Sequence, residues 1–199
     1  MASQVEIANR ALTKLGAARI ISFGDDNKQA RAIQSMYNIV RDAELRSHLW
    51  SFSVRRVEIP ALSTTPGWGF DLEYNLPADY LRLLQVDEFY VGPDMSDYRN
   101  GSTAQYMLED RKILTNFPAP LKIRYQARVT DSTQYDATFV EALASRLAME
   151  LAQDLTQSSG NKQLADEDYK RAIKTAIRCN AIEQQHQDMP DDTWAFSRL

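Results

Sequence analysis

Two histidines, one cysteine and three pairs of adjacent carboxylates are the groups of this 199-residue chain whose chemistry could go beyond packing. His48 and His186 lie far apart in sequence. Neither stands in an HxxxH or CxxC setting, so nothing has the spacing of a metal-ligand set. Cys179 falls in a helical pattern with no histidine beside it, which reads as an inert packed or half-exposed thiol. As the sole cysteine it rules out an intramolecular disulfide. The pairs Asp25-Asp26, Glu109-Asp110 and Asp191-Asp192 read in turn as a helix cap, a turn and a solvated tail. Two carboxyl groups brought together by a fold could form a hydrolase dyad, but nothing in the sequence selects a pair. No GxSxG elbow or phosphate-binding glycine loop occurs. The expectation is a protein with no catalytic residue, no cofactor and no metal.

Composition narrows the class further. An apolar content of 44% and a charged content of 25% are ordinary for a globular chain, and the length allows one good core or two small ones. The net charge of −4 argues against gripping nucleic acid by its phosphates, which needs clustered Lys and Arg. A weakly acidic wall would instead let duplex DNA slide past it. No apolar run approaches the ~20 residues that span a bilayer. The opening MASQVEIANRALTKLG lacks the basic region and apolar core of a signal peptide, so synthesis and folding in the cytosol are expected.

The elements that position these groups follow from hydrophobic period. Ser3 and Glu6 match a capping box, Val5, Ala8, Ala11, Leu12 and Leu15 form a helical stripe, and Gly16 suits the left-handed stop. From Ala30 to about Ala43 a second helix is expected, with Asp26 and Gln29 as its capping pair. Past His48 the period becomes two, so Trp50, Phe52 and Val54 point one way on a strand that follows the helix almost directly. Phe70 to Leu76 alternates cleanly, and Tyr80 to Val91 reads as a second strand region. Residues 92–103 read as an exposed loop. A hairpin is expected around 109–112, followed by a strand with Leu121, Ile123 and Tyr125 on one face and Lys122, Arg124 and Gln126 on the other. Asp136 or Thr138 caps a helix with Phe139, Val140, Leu143, Ala144, Leu147, Leu151 and Leu155 inward. Ser158-Ser159-Gly160-Asn161 breaks it, and a final helix over 163–183 carries Tyr169, Ala172, Ile173, Ala176 and Ile177 on one face. The fold class is therefore α+β, a helical bundle from residues 1–49 and 130–185 with an antiparallel sheet or sandwich over 50–129. Residues 186–199 form an extended C-terminal arm.

Several ordered segments carry a family resemblance. They include Ala8-Asn9-Arg10-Ala11-Leu12, Lys14-Leu15-Gly16, Ala30-Arg31, Tyr37, Arg41-Asp42 and His48-Leu49-Trp50. The middle of the chain adds 74–82 (YNLPADYLR), 113–116 (ILTN), 123–125 (IRY) and Thr130-Asp131. The last third contributes Phe139, Ala142-Leu143, Arg146-Leu147-Ala148, Glu150-Leu151-Ala152, Trp194 and Arg198. In this order the chain resembles the tail tubular protein A family, the head-to-tail adaptors of short-tailed bacteriophages.

That resemblance implies a structural virion protein at the head–tail junction rather than an enzyme. It implies a ring of identical subunits, dodecameric on the portal, bound to the portal protein above and the tail nozzle protein below. Duplex DNA would pass through the lumen without specific binding, and no membrane would be involved. The arm with Trp194, Phe196 and Arg198 is the expected portal hook, because a segment with aromatic anchors covers much surface on binding. Arg41, Asp42 and Arg46 are candidate subunit-interface residues; the bland alternative is solvated helix charge, where exposed pairs contribute ~0–1 kcal/mol. Arg55-Arg56 sit on opposite sides of a strand and carry little signal. Competing expectations are another neck component, such as a head-completion or tail-terminator protein, and an acid/base hydrolase.

Overall fold

A computed structural model describes residues 2–87, 89–90 and 105–183. Among them the architecture is α+β, with helices from both ends of the chain packed together and antiparallel strands between them in sequence. Helix α1 (Gln4–Lys14) opens on the expected capping box: Ser3 Oγ accepts from the Glu6 amide, and the Glu6 carboxylate accepts from the Ser3 amide. Gly16 closes it at φ +67°, where an L side chain would be strained. Ile7, outside the expected stripe, is fully buried beside Ala8, Ala11 and Leu12.

Helix α2 (Lys28–Ser47) is longer than its apolar stripe suggests, and its cap differs from expectation. Asn27, not Asp26, is the N-cap, and its side chain accepts from the Ala30 amide at 2.7 Å. Asp25 instead accepts from the Ile21 amide at 2.8 Å, tying back the loop before the helix. Past α2, the expected strand at Trp50 starts only at Val54. Residues Ser51–Ser53 form a 3-10 turn, because both the Ser53 amide and its hydroxyl bond the Trp50 carbonyl, at 3.0 and 2.8 Å. The turn still sends both aromatics inward. Trp50 and Phe52 meet Phe139 edge-on with ring centroids 4.9 and 5.0 Å apart.

The strands are β1 (Val54–Ile59), β2 (Leu72–Asn75), β3 (Tyr80–Val86), β4 (Phe89–Tyr90), β5 (Tyr106–Glu109), β6 (Lys112–Thr115) and β7 (Leu121–Ala127). They form two antiparallel sheets, ordered β1-β7-β3-β4 and β2-β6-β5. The strand region expected over 80–91 is two strands: the chain reverses at Asp87 (φ +49°) and β4 pairs back on β3. The expected hairpin joins β5 and β6 through Asp110 and Arg111, both at positive φ, the backbone of a type I′ two-residue turn without its usual glycine. The loop expected over 92–103 and the arm over 186–199 lie outside the described residues.

Among the polar strand residues expected to be wet, Glu73 and Gln126 are buried. Glu73 on β2 is buried, held by Lys112 Nζ at 3.2 Å and by the Thr64 hydroxyl. Gln126 on β7 is fully buried beneath the end of α2. Bulges at Leu81 and Leu84 bend β3 against β7. Leu81 then joins the helical core while Leu83 joins the sheet core with Tyr74, Ile113, Ile123 and Tyr125.

Helix α3 (Ala137–Thr156), capped by Asp136 as expected, is the centre of the bundle and touches α1, α2 and helix α4 (Ser159–Glu183). The break between α3 and α4 comes earlier than the Ser-Ser-Gly-Asn run. Gln157 takes the left-handed conformation at φ +52°, and Ser158 Oγ accepts from the Asn161 amide, so Gly160 lies inside the first turn of α4. Phe139→Ala should lower unfolding stability by about 3–5 kcal/mol, a fully buried ring lost from the one helix all others share. Leu164→Ala, on the exposed side of α4, should change it by less than about 0.5 kcal/mol. Urea unfolding of both variants checks the difference, and equal losses would refute this account of the core.

Candidate functional site at the helix–sheet junction

The groups singled out on α2 converge where that helix ends against β3 and β7. Arg41 is 5% exposed and is neither solvated nor free. Its guanidinium donates to Asp42 Oδ1 at 2.9 Å through Nε and 2.8 Å through Nη2, and to Asn38 Oδ1 at 2.9 Å. The other Asp42 oxygen meets Arg128 Nε at 2.8 Å, just past the end of β7. One carboxylate therefore joins two guanidiniums from different parts of the chain, a bridge that fixes the angle between bundle and sheet. Arg46 donates to the Leu81 carbonyl at 2.9 Å, taking up the backbone oxygen exposed by the bulge.

A second polar cluster centres on Glu44, three residues after Arg41 on α2. The Glu44 carboxylate is 3% exposed and accepts from the Tyr169 hydroxyl at 3.0 Å, and Arg146 stands over the Tyr169 ring at 5.1 Å. Burial pushes the Glu44 carboxyl above its ordinary range, while the Tyr169 hydrogen bond and the Arg146 charge pull it back. The Tyr169 phenol is pushed up to about 12, by burial first and then by the carboxylate beside it. Nearby, burial raises the Tyr37 phenol, and its hydroxyl has no hydrogen-bond partner among the described residues.

Two open grooves flank Arg128. One, of about 380 Å³, runs between Arg55, Asp79 and Asp131; there Asp79 accepts from Arg55 at 2.7 Å and from the Tyr125 hydroxyl at 2.9 Å. The other, of about 410 Å³, lies between Arg46, Leu81, Leu108, Arg111 and Lys112.

No family model matches the chain, and no curated protein matches it significantly.

The remaining sequence candidates are scattered. Asp25-Asp26 stand in the loop before α2 and Glu109-Asp110 at the β5–β6 turn, so these two pairs belong to different elements. His48 lies at the end of α2, its imidazole shifted down by burial and by the charge of Arg82. Cys179 is a free, half-buried thiol. Among the described residues no cluster of three or more His, Cys, Asp or Glu could hold a metal, and no helix is long and apolar enough to cross a membrane. His186, Asp191, Asp192, Trp194, Phe196 and Arg198 lie outside the described residues. Sequence reasoning passed over Asp79, Gln126, Arg128 and the Glu44–Tyr169 pair. Their only advance signal was polar residues set beside strand or helix ends.

Two outcomes are expected here. Asp42→Ala strands the Arg41 guanidinium with Asn38 alone; the cost should fall toward the lower end of the ~3–5 kcal/mol seen when one partner of a buried pair is removed. A urea titration showing no loss would mean the bridge is not formed. The Glu44 shift has the opposite sign to a salt-bridged acid. Because its folded pKa is raised, the folded state binds more protons than the unfolded state just above the ordinary carboxyl range, and stability falls as pH rises through that window. Glu44→Gln should therefore stabilise at neutral pH, with the gain shrinking below the ordinary carboxyl pKa of ~4. A gain that grew on acidification would contradict this.

Proposed function

We propose that the protein is a structural virion component, the head-to-tail adaptor of a short-tailed bacteriophage. Identical copies, twelve in a ring, sit beneath the portal, extend its channel, help to close it after packaging and offer a symmetric platform to the tail nozzle. The observation that carries this reading is the run of family-like segments, in order along the helix–sheet–helix chain. The junction supports it mechanically: a sheet pinned to a bundle through Asp42, Arg46 and Gln126 transmits load as one piece. The mild negative charge suits a lumen that DNA slides through. In a ring the contact is heterologous, one patch of each copy meeting a different patch of the next. Trp194, Phe196 and Arg198 act as the portal hook, and ring multiplicity turns a weak single contact into firm attachment.

Native mass spectrometry of the full chain, alone and mixed with the purified portal of the same phage, tests this. One copy per portal subunit is expected; a chain that stays free beside an intact portal sinks the adaptor reading. Deleting the residues after Asp188 should abolish that complex with little change in thermal unfolding, and a large loss of stability would place the tail in the core instead. Duplex DNA should not be shifted at physiological salt.

A further inference from the structure

The β1-β7-β3-β4 sheet has one face on its core and one turned outward, and the outward face gathers cations. Leu121, Ile123 and Tyr125 of β7 belong to the core, so alternation puts Lys122 and Arg124 on the other side. Register adds Arg56 and Glu58 of β1, opposite Arg124 and Lys122, and Arg82 and Gln85 of β3, opposite Gln126 and Arg124. The end of α2 covers the Gln126 end of this face. Beyond it Arg56, Glu58, Arg82 and Lys122 are exposed, and Arg124 and Gln85 are half-buried.

The charges there are unevenly matched. Lys122 stands opposite Glu58, and Asp87 donates its amide to the Lys122 carbonyl, so acidic residues neighbour that cation. The three arginines have no such company. Arg56 and Arg124 are direct cross-strand partners on backbones about 5 Å apart, and like charges so placed destabilise an antiparallel pair. Arg82 is the diagonal neighbour of Arg124, about 7–8 Å away. Among the described residues no ion pair or hydrogen bond engages the side chain of Arg56, Arg82 or Arg124, and Arg124 Nε is buried without a partner. Burial and then the Arg82 charge lower the His48 imidazole at the edge of the same face. The fold thus concentrates positive potential in a chain of net charge −4 whose sequence shows only scattered arginines.

What this face lacks narrows what it fits. None of the large apolar side chains exposed among the described residues lies on it; Val57, the one on β1, points to the core side. The centre of a protein–protein contact is apolar and aromatic. Phosphate contacts come from Arg and Lys, with amide side chains such as Gln85 beside them.

We propose that this face, centred on Arg56, Arg82 and Arg124, contacts the phosphate backbone of duplex DNA. Contacts of this kind make a weak, sequence-independent hold that salt screens and along which DNA slides. Its use as a lumen wall rests on the adaptor reading; the phosphate contact does not. Fluorescence anisotropy of a labelled duplex with the full chain tests it without a portal. Binding is expected at about 20 mM salt and should fade toward physiological salt with a log–log slope near about −3, roughly −0.9 for each phosphate met. Arg56→Gln/Arg82→Gln/Arg124→Gln should weaken it by about tenfold or more and flatten the slope. Arg56→Gln/Arg82→Gln, both at exposed positions, should weaken it by about fivefold and covers the case in which loss of Arg124 disturbs folding. Lys162→Gln/Lys174→Gln/Arg178→Gln removes as much charge from exposed positions of α4 and should weaken binding by about threefold at most. A wild type that does not bind at low salt overturns the proposal, whether the arginines are free or met by the chain's own acids. So does an equal loss from the sheet and α4 variants, or polyglutamate that competes as well as duplex DNA of equal charge. Assembly on the portal is read separately, so the adaptor reading can fail while this contact stands, and the reverse.

Discussion

The last carbonyls of a helix have no partners within it, and the end of α2 shows how much of this fold is arranged around that constraint. No glycine closes the helix: His48, the C-cap, is extended. The free oxygens are instead taken up from other elements. Gln126 of β7 donates to the Leu45 and His48 carbonyls, Trp50 Nε1 to the Glu44 carbonyl at 3.0 Å, and Asn180 of α4 to the Leu49 carbonyl. A buried carbonyl left alone costs about 1–3 kcal/mol. The sheet and the last helix are therefore held in place by the same short stretch of backbone, and neither can shift without exposing it.

The charges at the junction add direction to that clasp. Arg41 is buried, and a buried guanidinium is tolerable only with its hydrogen bonds met. Asp42 and Asn38 meet them, and Asp42 passes the constraint on to Arg128. Glu44 is held by one phenol rather than by a direct ion pair; burial shifts its carboxyl up, whereas at the half-buried Glu141 burial is outweighed by Lys14 and Arg10 and the carboxyl shifts down. The junction is thus rigid on the sheet side and sensitive to protonation on the α4 side.

Helices were legible because their signals are local. Ser3 and Glu6, Gly16 and Asp136 each act within one turn of the backbone, so their roles could be read without knowing the fold. The β unit was legible as a run of short antiparallel strands, but neither its division into two sheets nor its burial was. Alternation places Gln126 and Glu73 in water, and only the arrival of α2 over one and of Lys112 beside the other makes them interior. Ser53 turning the chain at Trp50 is a side-chain competition that period counting misses. Arg41-Asp42 was visible as a helical charge pair, but its third member, Arg128, lies 86 residues on and no spacing rule connects them.

Exposed apolar side chains show where further contacts can form, and their placement bears on the kind of assembly. Leu164 and Ile182, 62% and 74% exposed, lie near opposite ends of α4, about 27 Å apart along its axis. Trp68, 89% exposed, stands between Gly67 and Gly69 in the β1–β2 connection. The junction matters here too, because a bundle and sheet free to move against each other would not hold Trp68 at a constant angle to Leu164 and Ile182.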